Sequence, residues 1–578
     1  MRSNRLFKFG AKILYKVWLR LYIPLFVRKP KISLPYVQFS GQTFKDSCDK
    51  LLLDDRIMSS FLSDFSSVLS GKIPIFDDWV YQLPQTSFWL TDPRTKFTYP
   101  QRHWTKLKVP PSVDVKFVWE INRLENLDIS MVALATSEEP DHISRVLDYI
   151  DETLNQWSVE NPYNLGANWN SNAEVAMRLQ KFLLIRGLIT ESQSVHNLRN
   201  ILDQLISEHY THVKTNIVWT KLTMGNSHYL VELAALAHFE AAIGRGNRWL
   251  SELINQAKLQ FFDDGGNCEG SLNYHVYSLD TLAFTRMCLR MWGGDFTGLD
   301  DIVSNGFYFL SSITRKTGRL PKIGDWDEGR AFKPIRIQPD DMRPFFDFYG
   351  YAEHNTTEGW QILRDFGLAV CTISLGGTQF VVCLKAGNVA AGHSHIDLLS
   401  IYIYSKEIFS ISEAGVFQYG GSGSLRDFER SQLAHSTLIS NSGSPLKALT
   451  RFSWRGALHC ELKQLSEEAI SAKFTCPKTG NVFRRQVTVF DNHLELDDFC
   501  DSKEGYQIQF ICPTVQSQSE QEKQPSSFYN PSKSITLQNQ GFSIEPATIS
   551  HRYGKQIDAV RMFKFVDANN NHCKTYIS

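Results

Sequence analysis

The sequence predicts a multidomain protein in which an all-α unit is followed by an all-β unit. Its 578 residues exceed what a single hydrophobic core usually accommodates. From about residue 128 to 312, apolar residues recur at steps of three and four, which is the helical period. After about residue 365 they alternate in short segments, as in strands. A run of helices before a run of strands indicates two packed units.

Helical periodicity recurs along the first half of the chain. The predicted helices cover residues 143–157, 174–189, 195–205, 230–242, 249–262 and 279–292. The connections between them carry Asn, Gly, His and Tyr residues. Because binding groups commonly lie on loops of a helical scaffold, we expect functional residues in these connections.

The second half is built from short predicted strands. Residues 487–490 and 494–496 flank Asp491 and Asn492, which predicts a hairpin with a polar turn. Further strands are predicted at residues 380–384, 399–404, 408–411 and 472–475.

Composition narrows the class of protein. The chain is 42% hydrophobic and 21% charged, as is usual for a globular protein. Lys and Arg number 61, as do Asp and Glu, so no net charge favours nucleic acid as a partner. The ten cysteines form no C-x-x-C pair, which indicates neither a thiolate metal site nor a redox motif.

The N-terminal segment is basic. Ten Lys and Arg residues, from Arg2 to Lys45, precede the first acidic residue, Asp46. The run at residues 21–27 is too short for a transmembrane helix or a clear signal peptide. One interpretation is a peripheral contact with a membrane surface or an anionic glycan, in the periplasm or at the cytoplasmic membrane. The alternative is an arm that packs its apolar residues on the rest of the protein.

A His-rich motif in the β half predicts a metal site. His395 is followed 18 residues later by Glu413 and 40 residues later by His435, a set that suits a metal held between strands. If His393 lies on a strand with His395, the two share a face, and one imidazole can bind metal while the other faces a substrate. Asp397 is a rival ligand or a partner for an imidazole. The alternative is that these are separate polar core residues.

Three segments of the helical half carry candidate binding groups. Asn226 and His228 precede an apolar helix, where donors form an anion pocket, although Asn and Ser are also common helix caps. Tyr274 is predicted to lie in a glycine-rich loop and is either a proton-transfer group or a packing residue. Trp169 lies between two Asn residues, which suits sugar stacking, although a lone Trp usually belongs to the core. A further polar loop, between the two halves of the chain, covers residues 323–330.

Seven short motifs together resemble the heparinase II/III-like polysaccharide lyases, in the same order along the chain. They are Trp119-Glu120-Ile121-Asn122-Arg123; Asn168-Trp169 with Glu174 and Arg178; Asn226-Ser227-His228-Tyr229-Leu230; Glu269-Gly270-Ser271 with Tyr274-His275; Gly324-Asp325-Trp326-Asp327; Gly392-His393-Ser394-His395-Ile396-Asp397; and Arg426, Arg430 with Ala434-His435-Ser436-Thr437. Each is short, but seven in register are specific. The region before residue 115 matches only in general character.

The resemblance implies an incomplete (α/α) toroid of helical hairpins followed by an antiparallel β-sandwich. The expected divisions are a basic arm and helical lead-in at residues 1–115, the toroid at 116–360 and the sandwich at 361–578. The active site is expected in the cleft between toroid and sandwich. The implied activity is cleavage of a uronic-acid-containing acidic polysaccharide by β-elimination, in surface-polysaccharide production or processing.

The resemblance also implies roles for individual residues. Asn226 and His228 would neutralise the uronate carboxylate, and Tyr274 and His393 would transfer protons. The remaining assignments are Tyr419 as a further active-site tyrosine; Trp169, Arg178, Glu269, Arg426 and Arg430 as substrate-binding residues; and His395, Glu413 and His435 as ligands of a structural zinc.

Two positions depart from the family pattern. Ser227 stands where the family often has Asn, one residue after Asn226, and Glu413 stands where the metal carboxylate is usually Asp. The Ser227 departure motivates an alternative function, a non-catalytic glycan-binding or assembly protein on the lyase scaffold. A glycoside hydrolase is less favoured, because no pair of carboxylates stands out in the motif loops.

Overall fold

The computed structural model describes most of the chain. The described residues are 30, 34, 36–76, 79–82, 88–189, 196–246, 248–315, 317–334, 340–352, 359–389, 392–421, 423–513, 537–538, 541–567 and 571–578. Within these ranges no helix is both long and apolar enough to cross a membrane.

Most of the predicted basic arm, including residues 21–27, lies outside the described residues, so its contact with a membrane or glycan stays a prediction. The described residues near its C-terminal end pack on the helical part of the protein. The Tyr36 hydroxyl donates a hydrogen bond to Asp203 at 2.9 Å, and the ring of Phe39 lies 4.6 Å from that of Trp292. For this short stretch the packing alternative applies.

Thirteen helices occur in the described residues, and all but the last precede the main sheets. They are α1 (Gln42–Leu51), α2 (Asp55–Leu69), α3 (Lys116–Asn122), α4 (Glu125–Thr136), α5 (Pro140–Glu160), α6 (Asn172–Leu188), α7 (His196–Thr223), α8 (Ser227–Ala242), α9 (Arg248–Gln260), α10 (Leu272–Met291), α11 (Asp300–Thr314), α12 (Arg343–Tyr349) and α13 (Gly423–Glu429). Helix α8 is apolar on nearly every side and is surrounded by α6, α7, α9 and α10, as expected for a fully buried helix.

Nineteen strands are described, and most follow residue 360. They are β1 (Lys72–Ile75), β2 (Trp79–Gln82), β3 (Gln361–Leu363), β4 (Leu368–Leu375), β5 (Thr378–Lys385), β6 (Ile401–Tyr404), β7 (Phe409–Ile411), β8 (Leu438–Ser440), β9 (Lys447–Thr450), β10 (Ser453–Arg455), β11 (Cys460–Gln464), β12 (Ala469–Thr475), β13 (Val482–Val489), β14 (Leu494–Cys500), β15 (Tyr506–Pro513), β16 (Leu537–Gln538), β17 (Ser543–Arg552), β18 (Lys555–Val566) and β19 (His572–Ile577). The prediction of helices followed by strands is confirmed.

Three antiparallel sheets form the β part. Their strand orders are β3-β4-β5-β6-β7, β17-β18-β15-β8 and β11-β12-β13-β14-β19-β16. The predicted hairpin is β13 and β14, which pair from Val489 opposite Leu494 to Phe483 opposite Cys500.

The five-stranded sheet joins the two halves of the protein. On β4, Leu368 and Val370 belong to the core shared with the helices, whereas Ala369 and Cys371 belong to the core of the β part. Side chains alternate between the faces of a strand, so each face of this sheet contacts a different half. Burial on both faces explains why β5 reads as a nearly continuous apolar run.

Two local predictions differ from the structure. Tyr274 is not in a loop but in the first turn of α10, whose start is capped by the Ser271 side chain. His393 and His395 are not on a strand either, because residues 392–400 form turns and irregular backbone between β5 and β6. These histidines therefore lie on a connection between strands.

Candidate active site

A cleft of about 490 Å³ lies between the helices and the β part. All five residues predicted to be catalytic line it: Asn226, His228, Tyr274, His393 and Tyr419. The first three come from the starts of α8 and α10, and the last two come from connections of the β part. Residues far apart in sequence therefore meet in one cleft.

The start of α8 presents Asn226 and His228 to the cleft. Asn226 is the N-cap, and its side-chain oxygen accepts a hydrogen bond from the His228 backbone N–H at 3.3 Å. Ser227, between them, is buried, and its N–H donates to Glu269 Oε1 at 2.9 Å. Burial lowers the pKa of His228, so its imidazole is neutral at pH 7. The sequence departure at Ser227 thus leaves an amide and an imidazole in the cleft.

Tyr274 projects into the cleft from the first turn of α10. Its hydroxyl donates to Asp327 Oδ2 at 3.2 Å and lies 3.4 Å from the Tyr419 hydroxyl. Its ring is stacked on His393, with 3.6 Å between centroids. Burial, together with the charges of Asp327 and Asp325, raises the pKa of Tyr274 well above its usual value. The phenol is therefore protonated at neutral pH.

Asp325 fixes the orientation of His393. Its Oδ2 atom lies 2.8 Å from Nδ1 of His393, and its backbone N–H donates to the His393 carbonyl at 2.9 Å. Both carboxylate oxygens also contact Arg426, at 2.6 and 2.7 Å. Although burial opposes ionisation, the Arg426 guanidinium and the two neighbouring imidazoles hold the pKa of Asp325 well below its usual range. The carboxylate stays ionised, so Nδ1 of His393 donates a hydrogen bond to it.

The backbone around Asp325 requires a glycine. Gly324 has φ +73°, and a Cβ atom there would lie 2.8 Å from the carbonyl oxygens of both Gly270 and His393. Only glycine accepts this conformation and this approach without strain. The loop of residues 323–327 is thereby held against the start of α10 and against the His393 connection.

Tyr419 reaches the cleft from the connection between β7 and α13. Its backbone N–H, with that of Gly420, donates to Asp114 Oδ2 at 2.9 Å. The Tyr553 hydroxyl donates to the same carboxylate at 2.6 Å. Asp114, in the segment before α3, therefore ties this connection to the helical part.

His395, Glu413 and His435 form a buried cluster beside the cleft. One ligand atom from each lies within 4.8 Å of the others, and His435 Nε2 is 3.2 Å from His395 Nδ1 and 3.3 Å from Glu413 Oε2. Two ligands of a tetrahedral zinc, each about 2.0–2.1 Å from the ion, lie roughly 3.3 Å apart. The spacing therefore fits a metal of this size.

The protonation of the two imidazoles also favours a cation. Nε2 of His395 donates to Asp325 at 2.9 Å, and Nδ1 of His435 donates to the Ser431 carbonyl at 2.6 Å. The remaining nitrogens thus present lone pairs to one another and to a carboxylate. Glu413 Oε1 and both oxygens of Asp397 are buried without a hydrogen-bond partner among the described residues. Acceptors that converge in this way suit a bound cation.

None of the five residues predicted to bind substrate lines the cleft. Trp169 is fully buried with its indole N–H on the Asn161 carbonyl, and Arg178 is fully buried with its guanidinium on Asn168 and His209. Arg426 and Arg430 are buried beside the cleft and donate to the backbone of the segment 450–451. The hydrogen bonds of these four buried side chains go to other groups of the protein, and none of the four is part of the cleft lining.

Glu269 is the remaining predicted substrate contact, and it lies between Ser227 and His393. Its Oε1 holds the N–H of Ser227, and its Oε2 lies 3.5 Å from Nε2 of His393. It is 4% exposed. Its position makes it a support for the start of α8 rather than a contact for an acidic sugar.

Several functional groups were missed by sequence reasoning. Asp325 belongs to one of the seven family motifs, but no spacing rule links it to His393. Asp114, Lys116, Asp327 and Arg451 also line or support the cleft. For Asp325 and Asp327, the polar composition of residues 323–330 was the available signal in the sequence. No sequence signal indicated Asp114 or Arg451.

Residues 356–567 match the family model described as heparinase II/III-like, C-terminal. The similarity to this family model covers most of the β part of the chain. The predicted resemblance is thereby confirmed. No curated protein sequence gives a significant match.

Solved structures extend the likeness to nearly the whole chain. A heparinase III structure has a TM-score of 0.59 at 12% identity, covering 99% of this chain and 89% of that one. The heparinase III BT4657 gene product gives 0.55 at 16%, covering 99% and 88%. A mutant of the heparan sulfate lyase HepC from Pedobacter heparinus gives 0.51 at 14%, covering 89% and 82%. At these identities the likeness establishes the fold, a helical toroid followed by a β-sandwich.

Proposed function

We propose that this protein is a polysaccharide lyase that cleaves a uronic-acid-containing glycan by β-elimination. The observation that carries the proposal is the meeting of Tyr274 and His393, with rings stacked at 3.6 Å, in a cleft that Asn226 and His228 also line. The fold supports it, because structures with this architecture include heparinase III and a heparan sulfate lyase.

Elimination at a uronic acid requires a neutralised carboxylate. The C5 proton becomes acidic only when hydrogen-bond donors neutralise the adjacent carboxylate and stabilise the enolate-like charge. Asn226 and His228 offer such donors at the start of α8, where the helix dipole adds a favourable field. A base then accepts the C5 proton, the bond from C4 to oxygen breaks, an acid protonates that oxygen, and a double bond remains between C4 and C5.

His393 and Tyr274 suit the two proton-transfer roles. Asp325 keeps the proton of His393 on Nδ1, which leaves Nε2 to accept the C5 proton. Tyr274 retains its phenolic proton because its pKa is raised by burial and by Asp327 and Asp325, so it can donate to the leaving oxygen. The Tyr419 hydroxyl lies 3.4 Å from the Tyr274 hydroxyl, and this hydrogen bond lowers the pKa of Tyr274, which eases release of the proton.

We also propose that His395, Glu413 and His435 hold a zinc ion. Bound there, it would supply structural cross-linking of three connections of the β part. The cluster is fully buried, so substrate does not reach it. The chain's own contribution is to orient the ligands, through Asp325 on His395, Ser431 on His435 and Tyr402 on Glu413 at 2.8 Å.

The proposal is tested with a panel of uronate polysaccharides that includes heparan sulfate and its unsulfated backbone. Cleavage by elimination creates an absorbance from the unsaturated uronate product. We expect this absorbance to rise with at least one polymer. Saturable binding with no turnover on any polymer would instead favour a non-catalytic glycan-binding protein.

A further inference from the structure

The hairpin of β9 and β10 places an exposed cation and an exposed aromatic ring in the cleft. Its turn consists of Arg451 and Phe452, and both side chains line the cleft. Phe452 is 40% exposed, and its ring lies 5.4 Å from that of His393 and 5.0 Å from that of Tyr419. The turn is thus adjacent to the residues proposed to transfer protons.

The two buried arginines hold this turn in place. Arg430 Nη1 donates to the carbonyls of Thr450 and Arg451 at 2.9 and 2.8 Å. Arg426 Nε donates to the Arg451 carbonyl at 3.3 Å. Their guanidinium groups therefore act on the backbone of the turn, and the charge that faces the cleft is that of Arg451.

The turn is also fixed against the His393 connection. A Cβ atom on Gly392 would lie 2.5 Å from the carbonyl oxygen of Phe452, so glycine permits this close approach. On the other side of the turn, the indole N–H of Trp454 donates to the Ser394 carbonyl at 3.1 Å. The turn and the segment 392–394 therefore form one rigid wall of the cleft.

Arg451 differs from the other cations of the cleft wall. Lys116 is 3% exposed and pairs with Glu120 at 2.9 Å and with Asp327 at 3.5 Å. Arg123 is 6% exposed and pairs with Glu120 and Glu174. Among the described residues that line the cleft, Arg451 is the cation without a carboxylate partner.

The guanidinium of Arg451 has N–H groups available to a ligand. Its guanidinium donates to the carbonyl of Gly421 at 3.0 Å, which leaves further N–H groups for a ligand. A guanidinium with free N–H groups suits a carboxylate or a sulfate, which it can bind through two parallel hydrogen bonds.

We propose that this turn is a binding subsite for an anionic sugar next to the cleaved bond. Arg451 binds a carboxylate or sulfate of that sugar, and the exposed face of Phe452 packs against its ring. The inference rests on the proposed function and adds the substrate class, a glycan with a second anionic group beside the uronate that reacts. The other cations of the cleft, Lys116 and Arg123, form ion pairs with carboxylates of the protein. The anionic group is therefore bound by Arg451 itself and not by a general positive charge of the cleft.

Binding is measured by calorimetry on the Tyr274→Phe protein, so that turnover does not interfere. The probes are an unsulfated uronate hexasaccharide with the heparan backbone and its sulfated counterpart. We expect Arg451→Gln to raise Kd by about tenfold or more, as for loss of a charge-assisted hydrogen bond. Arg455→Gln is the matched control, because Arg455 is an exposed cation of the same hairpin that does not line the cleft.

The two probes distinguish the sources of the anion. An equal loss with both probes assigns a carboxylate to Arg451, and a loss confined to the sulfated probe assigns a sulfate. The ionic-strength dependence of Kd should also flatten in Arg451→Gln. With Tyr274 restored, KM should rise by the same factor while kcat changes less than about twofold, since uniform binding is removed.

Unchanged affinity in Arg451→Gln, or an equal loss in Arg455→Gln, would overturn the subsite. Failure of the Tyr274→Phe protein to bind either probe would overturn it for glycans of this backbone. Loss of binding in Arg451→Gln without turnover by the unsubstituted protein would support the subsite while refuting the proposed lyase activity.

Discussion

The Oδ2 atom of Asp325 lies 2.8 Å from Nδ1 of His393, while the other oxygen of the same carboxylate lies 2.9 Å from Nε2 of the metal-cluster residue His395. One buried side chain thus orients both a proposed proton acceptor and a proposed metal ligand. Because both imidazoles donate to it, each presents its other nitrogen, one toward the cleft and one toward the cluster.

Substituting Asp325 should therefore affect metal binding and catalysis together. In Asp325→Asn the amide has one acceptor oxygen, so only one imidazole keeps its partner. We expect metal affinity to fall about 10- to 100-fold, with kcat falling more than KM changes. Metal content and steady-state kinetics measure these effects. Asp128→Asn is the control, because Asp128 is also buried and pairs with Lys181 at 2.8 Å but contacts neither site; similar losses in this control would indicate general destabilisation.

Asn226 should separate helix capping from carboxylate neutralisation. Asn226→Asp retains a side-chain oxygen for the cap but repels the substrate carboxylate, so we expect a loss of at least about a hundredfold in kcat/KM. Asn226→Ala should also lower the free energy of unfolding by about 1 kcal/mol. Kinetics and urea denaturation provide the two readouts. Normal kcat/KM in Asn226→Asp would leave carboxylate neutralisation to other groups.

The cluster of His395, Glu413 and His435 should bind one metal ion per chain. We expect His395→Ala to abolish stoichiometric zinc and chelation to lower the Tm of the unsubstituted protein, since a metal that binds only the folded state stabilises it. Elemental analysis and thermal unfolding measure this. His572→Ala, which removes an exposed imidazole paired with Asp497, should keep the metal. Equal metal content in both variants would argue against the cluster.

His238 should make stability depend on pH. Its Nε2 accepts the indole N–H of Trp292 at 3.0 Å, and burial lowers its pKa to about 3. The unfolded chain binds this proton near pH 6.5 and the folded protein does not, so stability is present above pH 6.5 and is lost as pH falls from there toward 3.

The matched measurement compares denaturation of the unsubstituted protein and His238→Gln at pH 7.5 and 5.5. From pH 7.5 to pH 5.5, the free energy of unfolding of the unsubstituted protein should fall by about 1.4 kcal/mol more than that of the variant. Parallel losses in the two proteins would show that His238 does not contribute to the pH dependence.

Sequence periodicity predicted helices where one face or the whole helix is apolar. It placed α10 too late, at residue 279 rather than at Leu272, because the first turns of this helix bury Asn273, His275 and Ser278. Buried polar residues interrupt the apolar period, so this turn was read as a loop. Whether such polar residues belong to a helix depends on their hydrogen bonds in the folded protein, and apolar periodicity does not report these.

The candidate site was predictable where a motif carried several residues at once. The His395, Glu413 and His435 set and the pair Asn226 and His228 were found this way. Asp325 was not, because its partners lie about 70 residues away. The family resemblance assigned substrate contacts to Arg178 and Arg430, whereas the folded structure shows that both guanidinium groups donate to internal carbonyls.

The most direct test of β-elimination is product analysis in heavy-oxygen water. Elimination breaks the bond without adding water, so mass spectrometry should find unsaturated ends and no heavy oxygen in the new termini. Tyr274→Phe should give no product, whereas Tyr229→Phe, which removes a hydroxyl bound to Glu252, should cleave normally. Saturated non-reducing ends together with one heavy oxygen at each new reducing end would show hydrolysis and would contradict the proposed mechanism.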